Sequence, residues 1–187
     1  MKQIKLALIA ATSLLSLAVN AQIVGVNAFL KGDHVEVGLN KCGVYGTTAA
    51  PPAGYHPNVF GLGFVADSDL DGWDVGSPYD YCGDYFVPGT PEEGWQVQIG
   101  GSVYTNASNG CSPSEIPGSI TTYEFSGGMY TAIWEGTIAS EDISITQTTT
   151  LLIDKTYFVT RVLICNDGPT ELVDVYYLDL LNYRSIS

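Results

Sequence analysis

The sequence predicts an all-β protein, an antiparallel β-sandwich of jelly-roll or supersandwich type. Three observations lead there. Apolar side chains alternate with a period of two wherever a period can be read. Outside the first 21 residues, no stretch carries the i, i+3, i+4 spacing of a long amphipathic helix. Short runs of β-branched and aromatic residues are separated by clusters drawn from 21 Gly and 9 Pro.

Residues 1–21 are expected to be a secretory leader. Met1 to Lys5 supplies a basic start, an apolar run of about 14 residues follows, and Val19-Asn20-Ala21 places compact residues before the cut. That run is shorter than the roughly 20 residues a membrane-crossing helix needs, and no second long one follows. The mature chain is therefore expected to have no transmembrane segment. Residues 22–187 are read as one sandwich domain, since no charge-run linker or internal repeat divides them.

Strands are expected at 24–30 and 34–39, joined by the hairpin turn Lys31-Gly32-Asp33, then at 59–65, 96–104, 121–125 and 129–136. Turn-rich stretches at 47–57, 67–91 and 106–118 separate them. The clearest pattern comes last. Ile143-Ser144-Ile145-Thr146 opens an alternation that runs to Ile153, and Asp154-Lys155 interrupts it as a tight turn. It resumes from Thr156 to Cys165, with Tyr157, Val159 and Leu163 on one face and Phe158, Val162 and Ile164 on the other. Asn166-Asp167-Gly168-Pro169 is a strong turn, and 172–181 is read as the third strand of an antiparallel meander. Residues 182–187 follow with no turn or cap, so the chain is expected to be a piece of something longer or a small stand-alone relative.

The chain has 20 acidic and 7 basic side chains, a formal charge of −13; loss of Lys2 and Lys5 with the leader makes it −15. Apolar residues at 45% mark a globule rather than a disordered polyanion. The charge repels phosphate backbones, which argues against a nucleic-acid partner. Four cysteines, Cys42, Cys82, Cys111 and Cys165, lie in the mature part. An even count in an exported chain favours disulfides, and all three connectivities stay open. Zinc is disfavoured, because no C-x-x-C pair exists and His34 and His56 stand at no ligand spacing.

The most specific local motif is Asp67-Ser68-Asp69-Leu70-Asp71-Gly72-Trp73-Asp74. It matches D-x-D-x-D-G, the first half of a calcium loop, in which alternate carboxylates converge on one cation and glycine allows the sharp turn. Asp67, Asp69, Asp71 and Asp74 are the candidate ligands, and calcium is the candidate cofactor. The twelfth position is Pro78 rather than a bidentate Glu, so Asp74 or Asp80 would complete the set. An acidic turn left to solvent is the competing reading. A second cluster interleaves aromatic and acidic residues. Trp73, Tyr79, Tyr81 and Trp95 are candidate platforms for stacking the apolar face of a sugar, and Asp80 and Asp84 candidate acceptors for its hydroxyls. Plain packing at strand ends is the alternative.

Catalysis has weaker support. A glycosidase needs two carboxylates about 5–9.5 Å apart, but among 20 acidic residues some pair meets by chance. No G-x-S-x-G is present, and Gly61-Leu62-Gly63 lacks the third glycine of a dinucleotide loop. No catalytic residue is assigned. Glu36, His34 and His56 are what an acid–base enzyme would have to use, and for that it would have to bring them to one side of the fold.

The segments Asn27-Ala28-Phe29-Leu30-Lys31-Gly32, Val35-Glu36-Val37-Gly38, Ala53-Gly54-Tyr55-His56-Pro57 and Gly61-Leu62-Gly63-Phe64-Val65-Ala66-Asp67 carry a family resemblance. Over roughly 23–105 the chain resembles the N-terminal module of large secreted bacterial surface or adhesin-type proteins, often exported by type IX secretion. The later run, from Ile145-Thr146-Gln147 through Thr160-Arg161 to Val175-Tyr176-Tyr177, is similar in pattern to sugar-binding supersandwich domains. The first resemblance implies a secreted or outer-surface location and a non-catalytic adhesion role, and transfers no catalytic residues. The reading is thus a secreted or cell-surface binding module for a glycan or cell-surface partner, with a calcium-stabilised acidic loop. The alternatives are a glycoside hydrolase or mutarotase-like enzyme, and a purely structural N-terminal unit.

Overall fold

The computed structural model describes residues 22–55, 61–66, 85–86, 93–107, 111 and 114–181. They form strands β1 (Gln22–Val24), β2 (Asn27–Lys31), β3 (Val35–Leu39), β4 (Phe64–Ala66), β5 (Tyr85–Phe86), β6 (Glu93–Ile99), β7 (Ser102–Ala107), β8 (Gly118–Ser126), β9 (Met129–Ile138), β10 (Ile143–Leu152), β11 (Val159–Asn166) and β12 (Val175–Leu181). A single 3-10 turn, Ala139–Glu141, joins β9 to β10. The strands make three antiparallel sheets, ordered β1-β2-β3-β4-β5, β11-β10-β9-β8 and β12-β6-β7. The all-β, sandwich-like fold expected from the alternation is the one observed.

β10 shows why the sheets stack as they do. Its residues Ile143, Ile145, Gln147, Thr149 and Leu151 are buried in strict alternation, so one face of the four-stranded sheet is inward along its whole length. At one end Ile143 and Ile145 join Trp134 and Ile138 of β9 and Trp95, Val97 and Ile99 of β6 in a first core. At the other end Leu151 joins Tyr130 and Ala132 of β9 with Ala28, Leu30, Val35 and Val37 of β2 and β3 in a second. The four-stranded sheet is thus one layer, and the two other sheets cover its two ends.

Residues 42–47 are buried although they belong to no strand. A buried loop must satisfy its backbone polar groups from elsewhere. Here Asn40 Oδ1 accepts the Cys42 amide at 2.8 Å and Asn40 Nδ2 donates to the Gly46 carbonyl at 2.9 Å. The Cys42 carbonyl accepts from Trp95 Nε1 at 3.2 Å and Asn106 Nδ2 at 3.1 Å, and the Lys41 carbonyl accepts from Trp134 Nε1 at 2.8 Å. Cys42 then bonds covalently to Cys111, 69 residues on, with Cα atoms 5.9 Å apart. The loop is tied into the first core by side-chain donors, two of them tryptophans. Cys165, on β11, is half-buried and bonds to no cysteine among the described residues, and Cys82 lies outside them.

Four sequence expectations change. The strand expected at 24–30 is the β1–β2 hairpin, folded at Gly25-Val26 with Gly25 at φ 63°. The strand expected at 96–104 is the β6–β7 hairpin: Ile99 pairs with Ser102 around Gly100-Gly101, a two-residue turn that needs the positive φ of 55° at Gly100. The turn after β10 is not tight but spans 153–158, because Ile153 and Phe158 pack against the second core and the Ile153 carbonyl accepts the Asp33 amide. Most consequential, the third strand of the expected meander does not pair with β11. β12 pairs with β6 instead, where Tyr177 stacks on Trp95 at 5.9 Å and Leu172 packs on the same core. The meander that does form is β8-β9-β10-β11.

Candidate functional site

Of the expected ligand-binding residues, Trp73, Tyr79, Tyr81, Asp80 and Asp84 lie outside the described residues, as do the expected metal ligands Asp67, Asp69, Asp71 and Asp74. Their attachment points are described. β4 ends at Ala66 and β5 begins at Tyr85, and the two strands pair with each other, Phe64 opposite Phe86 and Val65 opposite Tyr85. The segment 67–84 therefore leaves and re-enters the five-stranded sheet at neighbouring strands, and its sequence holds all of these candidates except Trp95.

Trp95 corrects the sequence reading. It is 1% exposed, packs edge-on against Trp134 at 5.3 Å and is stacked by Tyr177. With those rings against it and its N–H spent on Cys42, it is a core side chain with no face for a sugar. The alternation of β6 accounts for this: Glu93, Trp95, Val97 and Ile99 all point inward.

At the root of the 67–84 connection, Val35, Phe64, Ala66, Tyr157 and Phe158 line a shallow groove of about 170 Å³. Phe64 and Phe158 pack at 5.7 Å beneath it, while Tyr157 stays 57% exposed. The alternation groups Tyr157 with Val159 and Leu163 on one face, named there for no ligand, and the structure shows that face to be the exposed one.

The acid–base candidates are dispersed in role. Glu36, 2% exposed on β3, forms an ion pair with Lys31 across the β2–β3 ladder. The Lys31 ammonium also lies 5.1 Å from the Tyr55 ring centroid. Glu36 is thus engaged in a charge pair whose carboxylate is buried and whose ammonium is half-exposed. His34 sits just before β3 with a buried Nδ1 that finds no partner among the described residues, and His56 is outside them.

Sequence reasoning missed a polar seam between the two cores. Gln147 and Thr149 interrupt the apolar inward face of β10 and are 4% and 1% exposed. Thr149 Oγ1 meets Thr160 Oγ1 at 2.9 Å, Thr160 also bonds the Tyr45 hydroxyl, and Gln147 Nε2 reaches the Tyr177 hydroxyl at 3.5 Å. Burial pushes the Tyr45 and Tyr177 hydroxyls above the ordinary phenol range. Beside them lies Glu93, 4% exposed. Asp179 of β12 stands diagonal to it on the same face of the β6–β12 ladder. Burial first, and the Asp179 charge second, hold the Glu93 carboxyl well above the usual carboxylate range. The one signal in the sequence was Gln147 and Thr149 at inward positions of an otherwise apolar alternation.

Fold and site together define a disulfide-bearing all-β sandwich with an acidic, aromatic-rich connection at a sheet edge and a polar seam inside. Compared with protein-family models, curated proteins and solved structures, the chain matches none of them.

Proposed function

We propose that this chain is an exported, non-catalytic binding module that adheres to glycan at the cell surface. In this reading calcium holds Asp67, Asp69, Asp71 and Asp74, while Trp73, Tyr79 and Tyr81 stack on the sugar and Asp80 and Asp84 take its hydroxyls. The observation that supports it is the β4–β5 pairing, which anchors both ends of the 67–84 segment, whose sequence carries these residues, to one sheet. Connections held on a rigid scaffold are where binding residues concentrate. Tyr157 and the groove beneath it add a ring and an apolar floor at the same place. The Cys42–Cys111 bond supports an oxidising compartment.

Titration of the mature chain with calcium by calorimetry is expected to give a saturable heat that Asp69→Ala abolishes. On a glycan array in the presence of calcium, Tyr79→Ala and Tyr157→Ala are expected to reduce binding at least several-fold. Silence of the folded wild-type chain on the array removes the glycan; absence of a calcium heat removes the metal. A second reading, a structural unit that docks on a neighbouring domain, is favoured by the exposed apolar side chains Leu163 (45%), Tyr176 (59%) and Leu178 (45%). It predicts that silence on the array.

A further inference from the structure

Six strands stand at sheet edges: β1 and β5, β11 and β8, β12 and β7. An edge strand offers unpaired amides and carbonyls to any strand that meets it, and folds blunt such edges in recognisable ways. Among the described residues, five of the six are blunted. β1 and β5 are three and two residues long. β8 is broken by a bulge between Ile120 and Thr122 and carries the exposed Glu124. β7 is covered by the segment after it: the Glu115 amide donates to the Thr105 carbonyl at 3.0 Å, and Ser114 bridges Asn106. β12 sets Asp179 on the face that Tyr177 turns to the core, and an inward charge resists a further strand.

β11 has none of these devices. Val159–Asn166 runs in unbroken register with β10 and contains no proline, glycine or acid. Among the described residues only β10 pairs with it. Both of its faces are apolar. Val159 and Leu163 are half-exposed on the outer face, while Val162 and Ile164 stay only half-buried where they pack on the first core.

We propose that β11 is the contact edge of a symmetric dimer, in which the β11 strands of two copies pair antiparallel and join two four-stranded sheets into one of eight. The strand is complementary to itself. Directly opposed residues of an antiparallel pair share a face, so inner and outer sides match only when the twofold axis passes through a residue. An axis at Arg161, the one charge of the strand, sets like charges opposite each other. An axis at Leu163 keeps 160–166 paired and sets the two Leu163 side chains opposite on the outer face. On the inner face it puts Val162 of each copy opposite Ile164 of the other, completing their burial. Arg161 then stands diagonal to Asp167 of the other copy, an exposed acid just past the strand end. One strand pair is a small interface, of the weak and concentration-dependent class. Acidic copies repel at long range, so the test belongs at physiological ionic strength, where charges more than about 8 Å apart are screened.

Sedimentation equilibrium of the oxidised chain, carried up to about 1 mM, is expected to show monomer and dimer in exchange. Hydrogen exchange is expected to show β11 amides gaining protection as the dimer forms, while β8 amides do not. Leu163→Lys acts twice about the axis and is expected to weaken the dimer at least about tenfold. Val103→Lys, at a similarly exposed apolar site on β7, leaves it unchanged. Arg161→Asp is the second variant: it weakens the dimer several-fold, and adding Asp167→Arg restores it by rebuilding both charge pairs in reverse. A chain monomeric at every concentration overturns the proposal. So does β11 protection already complete in the monomer, or a dimer whose affinity Leu163→Lys and Arg161→Asp leave unchanged.

Discussion

Replacing Cys111 by alanine lowers the stability of the oxidised chain by about 4 kcal/mol. The bond closes a loop of 69 residues, and removing it returns that closure entropy to the unfolded ensemble. The position sharpens the effect. Cys42 is 2% exposed and Cys111 8%, both within the first core, and Cys42 is the covalent anchor of a buried segment otherwise held by side-chain and backbone hydrogen bonds. The measurement is the urea midpoint of Cys111→Ala against wild type, with the wild type repeated in reductant. Reduced wild type and variant are expected to coincide; a shift under about 1 kcal/mol shows that the hydrogen bonds alone hold the segment.

Trp134→Ala costs a comparable amount, about 3–5 kcal/mol. Its ring is 2% exposed, and the residues around it are small because they have to be. A Cβ added at Gly118 would lie 2.2 Å from Trp134 Cζ2, one at Gly136 would lie 2.2 Å from Cη2, and one at Gly43 would lie 2.8 Å from Cδ2. Truncation leaves a cavity that three glycines cannot fill, and it also removes the N–H that satisfies the Lys41 carbonyl. Gly136→Ala is the converse experiment. Its new methyl group meets both the ring and the Pro117 carbonyl at 2.8 Å, so a loss of about 1–3 kcal/mol is expected from overpacking. Thermal or urea denaturation of both variants checks the pair. If Gly136→Ala is neutral, the ring is free to move and the tight cage is not what places it.

The hairpins were legible where the local chemistry was complete. Tyr157, Val159 and Leu163 alternate with Val162 and Ile164, and the exposures follow that alternation. Lys31-Gly32-Asp33 opens the turn between β2 and β3, which the Gly32 amide closes on the Val35 carbonyl. The expectation failed at Gly25 and at Gly100-Gly101, where the same alternation continues through a turn and hides it. It failed again at β12, whose apolar residues suit either sheet. Trp95 was misread for a related reason: aromatic rings near acidic residues look alike whether they face solvent or a second tryptophan.

The sequence by itself determined the all-β class and most of the strands. The period of two is a property of the backbone and needs no partner to be visible. The tertiary structure alone decided which sheet receives β12, which cysteines bond, that Trp95 is interior and that Glu93 and Asp179 share a face of the β6–β12 ladder. Each of these is a contact between segments tens of residues apart, and nothing local to either segment records the distance that folding closes.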